Sequence, residues 1–126
     1  MKKVLVNTNI LIDYVNGYND ELGQLFIKQE TKDMELYLNP VILSEFLNNK
    51  GLKNKEKMKT ALEFVDLFQI ADINKKTGII AGELLRNDTV NVLADAFIAA
   101  ACLQYGLFLF TNNKKDFQKV RALKFR

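Results

Sequence analysis

Apolar and polar positions fall into two kinds of block along this chain. Short, mostly apolar runs occur at 4–6, rich in β-branched residues, and at 35–38, 69–71 and 107–110, and each reads as a strand. Between them lie longer stretches with one-sided apolar spacing. Leu22, Leu25 and Phe26 mark a helix over 20–29, and Ala61, Leu62, Phe64, Val65 and Phe68 mark one over 55–67. Further helices are predicted over 10–15, 40–47, 74–86 and 92–105. Punctuation agrees with this division. Asn39-Pro40 reads as an N-cap followed by proline at the first helical position, Asn74 reads as a cap, and Asn16-Gly17 and Gly106 read as stops. Residues 123–125 allow a short last strand.

Strands alternating with helices imply an α/β fold, a parallel sheet of four or five strands with helices on both faces. With right-handed crossovers, strands one to three run outward and strand four returns beside strand one. A crevice then opens between strands one and four at their carboxyl ends, where such folds bind ligands. Asn7, Thr8 and Asn9 end the first strand, and residues 111–116 follow the fourth, so the two stretches face each other there.

Within this pattern a few charges stand out. Of the twelve residues from 92 to 103, eleven are apolar and the twelfth is Asp95. A helix apolar all round is buried, and a buried carboxylate needs a cation, hydrogen-bond donors or a cleft edge. The plain alternative is that Asp95 sits in the first turn and favours the helix dipole. Glu45 is the one charge among Val41, Ile42, Leu43, Phe46 and Leu47, and by itself reads as part of a solvated face. Asp116 after Lys114 and Lys115 reads alone as a surface ion pair or cap, and Asp13 as a solvent-facing residue of a short helix. Taken together, carboxylates after strand two, in the late apolar helix and after strand four can converge on one crevice. Such a group repels itself unless a divalent cation neutralises it.

Composition narrows the chemistry. The chain has 126 residues and reads as one domain over 1–126. It contains no histidine, which removes Ser-His-Asp and Cys-His catalysis and histidine metal sites. The single Cys102 lies in an apolar helix and reads as packing. Oxygen ligands alone point to Mg²⁺ or Mn²⁺, and a formal charge of +3 is compatible with a polyanion. No glycine-rich phosphate loop is present, which argues against a nucleotide-binding domain. The start of the chain has too few apolar residues for a signal peptide, no run reaches membrane-spanning length, and a reducing cytoplasm is expected.

Four short motifs in order now carry a resemblance. Val6-Asn7-Thr8-Asn9-Ile10-Leu11-Ile12-Asp13, Ser44-Glu45-Phe46, Leu93-Ala94-Asp95-Ala96-Phe97 with the apolar residues after it, and Thr111-Asn112-Asn113-Lys114-Lys115-Asp116-Phe117 are similar to those of PIN-domain ribonucleases, most closely VapC-type toxins. The resemblance implies a PIN-like three-layer sandwich and an endoribonuclease. It implies Mg²⁺ or Mn²⁺ held at Asn7, Glu45, Asp95 and Asp116, with Thr8, Asn9, Thr111 and Asn113 setting carboxylate geometry. Lys114 and Lys115 are placed to contact the RNA backbone. An antitoxin whose C-terminal segment occupies a groove near the site, and a homodimer, are implied as partners. One position departs from the pattern: the family's opening aspartate is here Asn7. An engineered inactive variant and a natural degenerate member both account for it, and the intact acidic positions favour the first. A non-catalytic RNA- or protein-binding module on the same fold is the rival reading.

Overall fold

The computed structural model describes all residues from Met1 to Arg126. Its elements are β1 (Lys2–Val6), α1 (Thr8–Val15), α2 (Glu21–Glu30), β2 (Met34–Leu38), α3 (Pro40–Leu47), α4 (Lys55–Val65), β3 (Gln69–Ile70), α5 (Lys75–Arg86), α6 (Leu93–Tyr105) and β4 (Phe108–Phe110). The four strands form one parallel sheet in the order β3-β2-β1-β4, as the alternating pattern predicts. Leu5 pairs with Tyr37 on one side and Leu109 on the other, which places β1 centrally. Val4, Leu5 and Val6 are all fully buried. Successive strand residues point to opposite faces, so both faces of β1 are covered by helices. The predicted fifth strand is reduced to a single parallel bridge between Leu109 and Phe125.

Capping explains where most helices begin. The side chains of Asn39, Asn54 and Asn74 accept from the backbone N–H groups of Ile42, Lys57 and Thr77. These bonds satisfy donors that a helix leaves orphaned in its first turn. Gly106 ends α6 with φ of 68°, a left-handed conformation costly for residues with a Cβ. Most boundaries shift by one or two residues from the sequence reading, and two of the shifts bear on the site. Helix α1 begins at Thr8 because Asn7 itself is the cap, and Val92 lies outside α6 as its N-cap. A 3₁₀ turn at Lys50–Lys53, absent from the apolar pattern, joins α3 to α4.

Packing then fixes the parts that carry the candidate site. Ala96, Ile98, Ala99, Ala100, Ala101 and Cys102 make α6 the most buried helix. Burial pushes the Cys102 thiol far above its usual range, so it packs rather than reacts. Asn39, fully buried, also donates its Nδ2 to the Phe97 carbonyl at 3.4 Å. One residue thereby ties the start of α3 to the first turns of α6. Tyr14, Phe26, Phe46 and Phe68 surround Phe64 at centroid distances of 5.5–6.1 Å. This cluster draws rings from α1, α2, α3 and α4 and accounts for apolar positions of all four helices.

Candidate active site

The carboxyl end of β1 runs directly into the candidate site. Asn7 donates its backbone N–H to the Phe110 carbonyl at 2.9 Å, continuing the β1–β4 ladder by one residue. Its side-chain oxygen accepts from the Thr8 N–H at 2.8 Å, and its Nδ2 donates to Thr111 Oγ1 at 3.0 Å. Thr111 Oγ1 accepts twice more, from Asn9 Nδ2 at 3.3 Å and from the Asn113 backbone N–H at 3.0 Å. Asn7 and Thr111 are buried, so the contact is sheltered from competing water. The predicted juxtaposition of residues 7–9 with the segment after β4 is therefore present.

The acidic residues come in from other elements. Thr8 donates its hydroxyl to Glu45 Oε1 at 2.8 Å, which holds the otherwise exposed Glu45 of α3 against the start of α1. Asp95 is half-buried at the third position of α6. The dipole there favours an ionised carboxylate. Even so, the Asp95 carboxyl is held above its usual range, first by burial, then by the negative charges of Asp116 and Glu45. Desolvation and two like charges thus outweigh the dipole at this position. Asp116 lies in a 3₁₀ turn at Lys114–Phe117 anchored by the buried Phe117. Glu45, Asp95 and Asp116, widely separated in sequence, share one electrostatic neighbourhood.

Three findings correct or refine the sequence reading. Asp13 is not simply solvent-facing: it is half-buried, and Oδ2 accepts from Asn112 Nδ2 at 2.8 Å. Asn9 Oδ1 accepts from the Asn112 N–H at 3.1 Å, so Asn9 and Asp13 clamp the segment after β4 from one face of α1. Their spacing of four residues, one helical turn, was the signal available in the sequence. Asn113 acts through its backbone, and its side chain bonds to nothing. Lys114 and Lys115 are exposed beside Asp116, and Lys114 Nζ lies 5.7 Å from the Phe125 ring centroid.

The donor set is oxygen only, which suits a hard divalent cation in kind. Its arrangement is open: no three acidic side chains sit close enough to form a ready-made metal shell. Asn7 adds no charge to this set. With its oxygen on the Thr8 N–H, it turns an amide N–H₂ toward Thr111, where a carboxylate would present a second oxygen. The oxygens of Glu45, Asp95 and Asp116 match a hard cation in kind without being gathered into a shell, and the Asn7 amide offers it no charge. Alongside Glu45 runs a groove of about 830 Å³ lined by Ile12, Val15, Phe46, Leu52 and Phe64, with Lys50 and Lys57 on its walls.

A parallel sheet in the order β3-β2-β1-β4 with Glu45, Asp95 and Asp116 near enough at its carboxyl edge to sense one another defines an α/β domain with an acidic edge. Residues 4–123 match the PIN domain family, and the chain belongs to it. It is 28% identical to the ribonuclease VapC2 of Methanocaldococcus jannaschii, over 96% of this chain and 91% of that protein. It is 24% identical to the ribonuclease VapC of Rickettsia bellii, over 95% and 92%. Among solved structures, DNA-bound VapBC from Salmonella typhimurium superposes with a TM-score of 0.81 at 20% identity, covering all of this chain and 98% of that one. VapBC2 of Rickettsia felis, bound to a DNA fragment from its promoter, gives 0.77 at 22% identity, covering 98% and 97%. These likenesses carry the fold, and the three-layer PIN-like architecture expected from the motifs is present.

Proposed function

We propose that this chain is a divalent-cation-dependent endoribonuclease, the toxin component of a toxin–antitoxin pair, with its activity weakened at Asn7. The observation that supports this most is the neighbourhood of Asp95, where burial and the charges of Asp116 and Glu45 hold its carboxyl above the usual range. Folding brings these like charges together at a cost, and a bound cation offsets that cost. The kinship with ribonucleases named VapC supplies the substrate class.

Glu45, Asp95 and Asp116 would hold Mg²⁺ or Mn²⁺, which supplies Lewis-acid neutralisation of phosphate charge when bound. The rest of the work belongs to the chain. Thr8 orients Glu45 through its hydroxyl, and Asn9 and Thr111 keep Asn7 and the segment carrying Asp116 in place. Lys114 and Lys115 attract the RNA backbone to the lip of the site. The groove beside Glu45 receives a segment of the antitoxin, whose side chains there shut RNA out. The exposed Val92 and Leu93, a turn from Asp95, offer apolar surface to a second copy in a homodimer. No helix is long and apolar enough to cross a membrane, and we place the single domain over 1–126 in the cytoplasm.

A second reading, a non-catalytic module that binds RNA or protein, is favoured by one observation, the Asn7 amide turned away from cation binding. A cleavage assay separates the two. The unaltered chain should cut structured RNA slowly or not at all with Mn²⁺, and Asn7→Asp should restore cutting that EDTA abolishes. Folded Asn7→Asp protein that cuts no RNA in Mn²⁺ overturns the nuclease reading in favour of the binding module.

A further inference from the structure

Positive charge in this protein is not evenly spread. Six of its eighteen Lys and Arg but only one of its fifteen Asp and Glu fall within residues 114–126, giving that segment +5 and the remainder −2. The segment starts at the acidic site, and its Phe125 bridges the outer side of β4 at Leu109. Neutralisation there is slight. The protein's one ion pair joins Arg126 to Glu21 at 3.6 Å, and Lys114, Lys115, Lys119, Arg121 and Lys124 are exposed without a carboxylate partner. Aromatic rings organise several of these cations. Lys2 Nζ lies 4.3 Å and Lys124 Nζ 5.7 Å from the centroid of the half-buried Phe108. Lys114 lies over Phe125, and the Arg126 guanidinium lies 5.9 Å from the Phe110 centroid. Phe110 and Phe108 are two residues apart on one strand, a descent of about 7 Å from the site. A ring beneath an ammonium group restricts where it can go while leaving its hydrogens free for phosphate.

We propose that the surface built by residues 114–126 along β4, from Lys114 at the site down to Phe108 beneath Lys2 and Lys124, is the track along which a single RNA strand leaves the acidic cluster. The inference rests on the RNA-cleaving reading above and adds to it the surface that holds the substrate away from the reacting phosphate. Charge complementarity selects the occupant: unpaired cations strung along one segment fit the phosphates of one strand.

Fluorescence anisotropy in EDTA tests this without cleavage. The titration uses the whole chain and a 20-nucleotide single-stranded RNA at several salt concentrations. The Lys2→Gln/Lys124→Gln double variant should bind about fivefold more weakly at low salt, with a salt slope shallower by about 1.4, as expected for losing two phosphate contacts on a single strand. Lys2→Arg/Lys124→Arg should bind as the unaltered chain does. Lys55→Gln/Lys59→Gln, an equal charge change on α4, should stay within twofold. Equal weakening by both Gln pairs would show attraction to net charge alone and overturn the track. So would RNA binding that neither pair alters, and in that case the nuclease reading survives. No RNA binding by the unaltered chain overturns both.

Discussion

The floor and the rim of the candidate site are made of opposite materials. The floor is apolar: Val4, Leu5, Val6, Leu36, Leu38 and Leu109 are fully buried, and α6 lays its alanines, Ile98 and Cys102 into the same core. The rim, residues 7–9 and 111–116, carries amide, hydroxyl, carboxylate and ammonium groups, and bonds of 2.8–3.3 Å tie it together and to Glu45 and Asp13. Burial fixes where the strand ends stand, because close packing tolerates little displacement. It is nearly blind to which way a polar side chain points. Orientation comes from the rim, where Thr111 Oγ1 gathers three donors and decides how Asn7 lies. Stability should therefore be concentrated in the floor and ion binding in the rim.

Substitutions can break that division. The largest stability effect is expected for Leu109→Ala, which empties a fully buried position on β4. It should cost about 3 kcal/mol, measured by urea denaturation. Thr111→Val should come next, at about 1–2 kcal/mol, because the buried Asn7 N–H₂ loses its acceptor while shape is kept. A Thr111→Val cost equal to that of Leu109→Ala would place the rim among the main sources of stability and blur the contrast.

Asp95→Asn is expected to have the smallest effect on stability, and of opposite sign. A carboxyl held above its ordinary value binds its proton in the folded state at a pH where the unfolded chain has released it. Stability therefore falls as pH rises through the interval between the ordinary and the raised value, and the penalty persists at neutral pH. The amide removes that penalty, so thermal melts at pH 7 should show an unchanged or slightly raised Tm. A melt near pH 4 should bring the two proteins together. A large loss at pH 7 would mean that ionised Asp95 supports the fold.

Much of the floor was legible in the sequence. Apolar runs and their spacing predict strand order and parallel direction, because both follow from burial and crossover handedness. The caps at Asn39 and Asn74 and the stop at Gly106 were legible too, since local chemistry dictates them. The rim was legible only as a list of residues. Five consecutive polar residues from Thr111 to Lys115 carry no periodicity, so nothing in the string says that Thr111 collects donors, that Asn113 works through its backbone, or that Asn112 reaches Asp13. The fifth strand failed for a related reason: its exposed neighbours, Lys124 and Ala122, leave only one bridge at Phe125.

Calorimetric titration of Mn²⁺ tests the central claim, that Glu45, Asp95 and Asp116 form a cation site short of one charge at Asn7. The unaltered chain should bind weakly. Asn7→Asp should bind at least tenfold more tightly, about 1.4 kcal/mol, and adding Asp95→Asn to it should reverse the gain. Equal affinity of the unaltered chain and Asn7→Asp, or a gain that survives Asp95→Asn, would contradict the account.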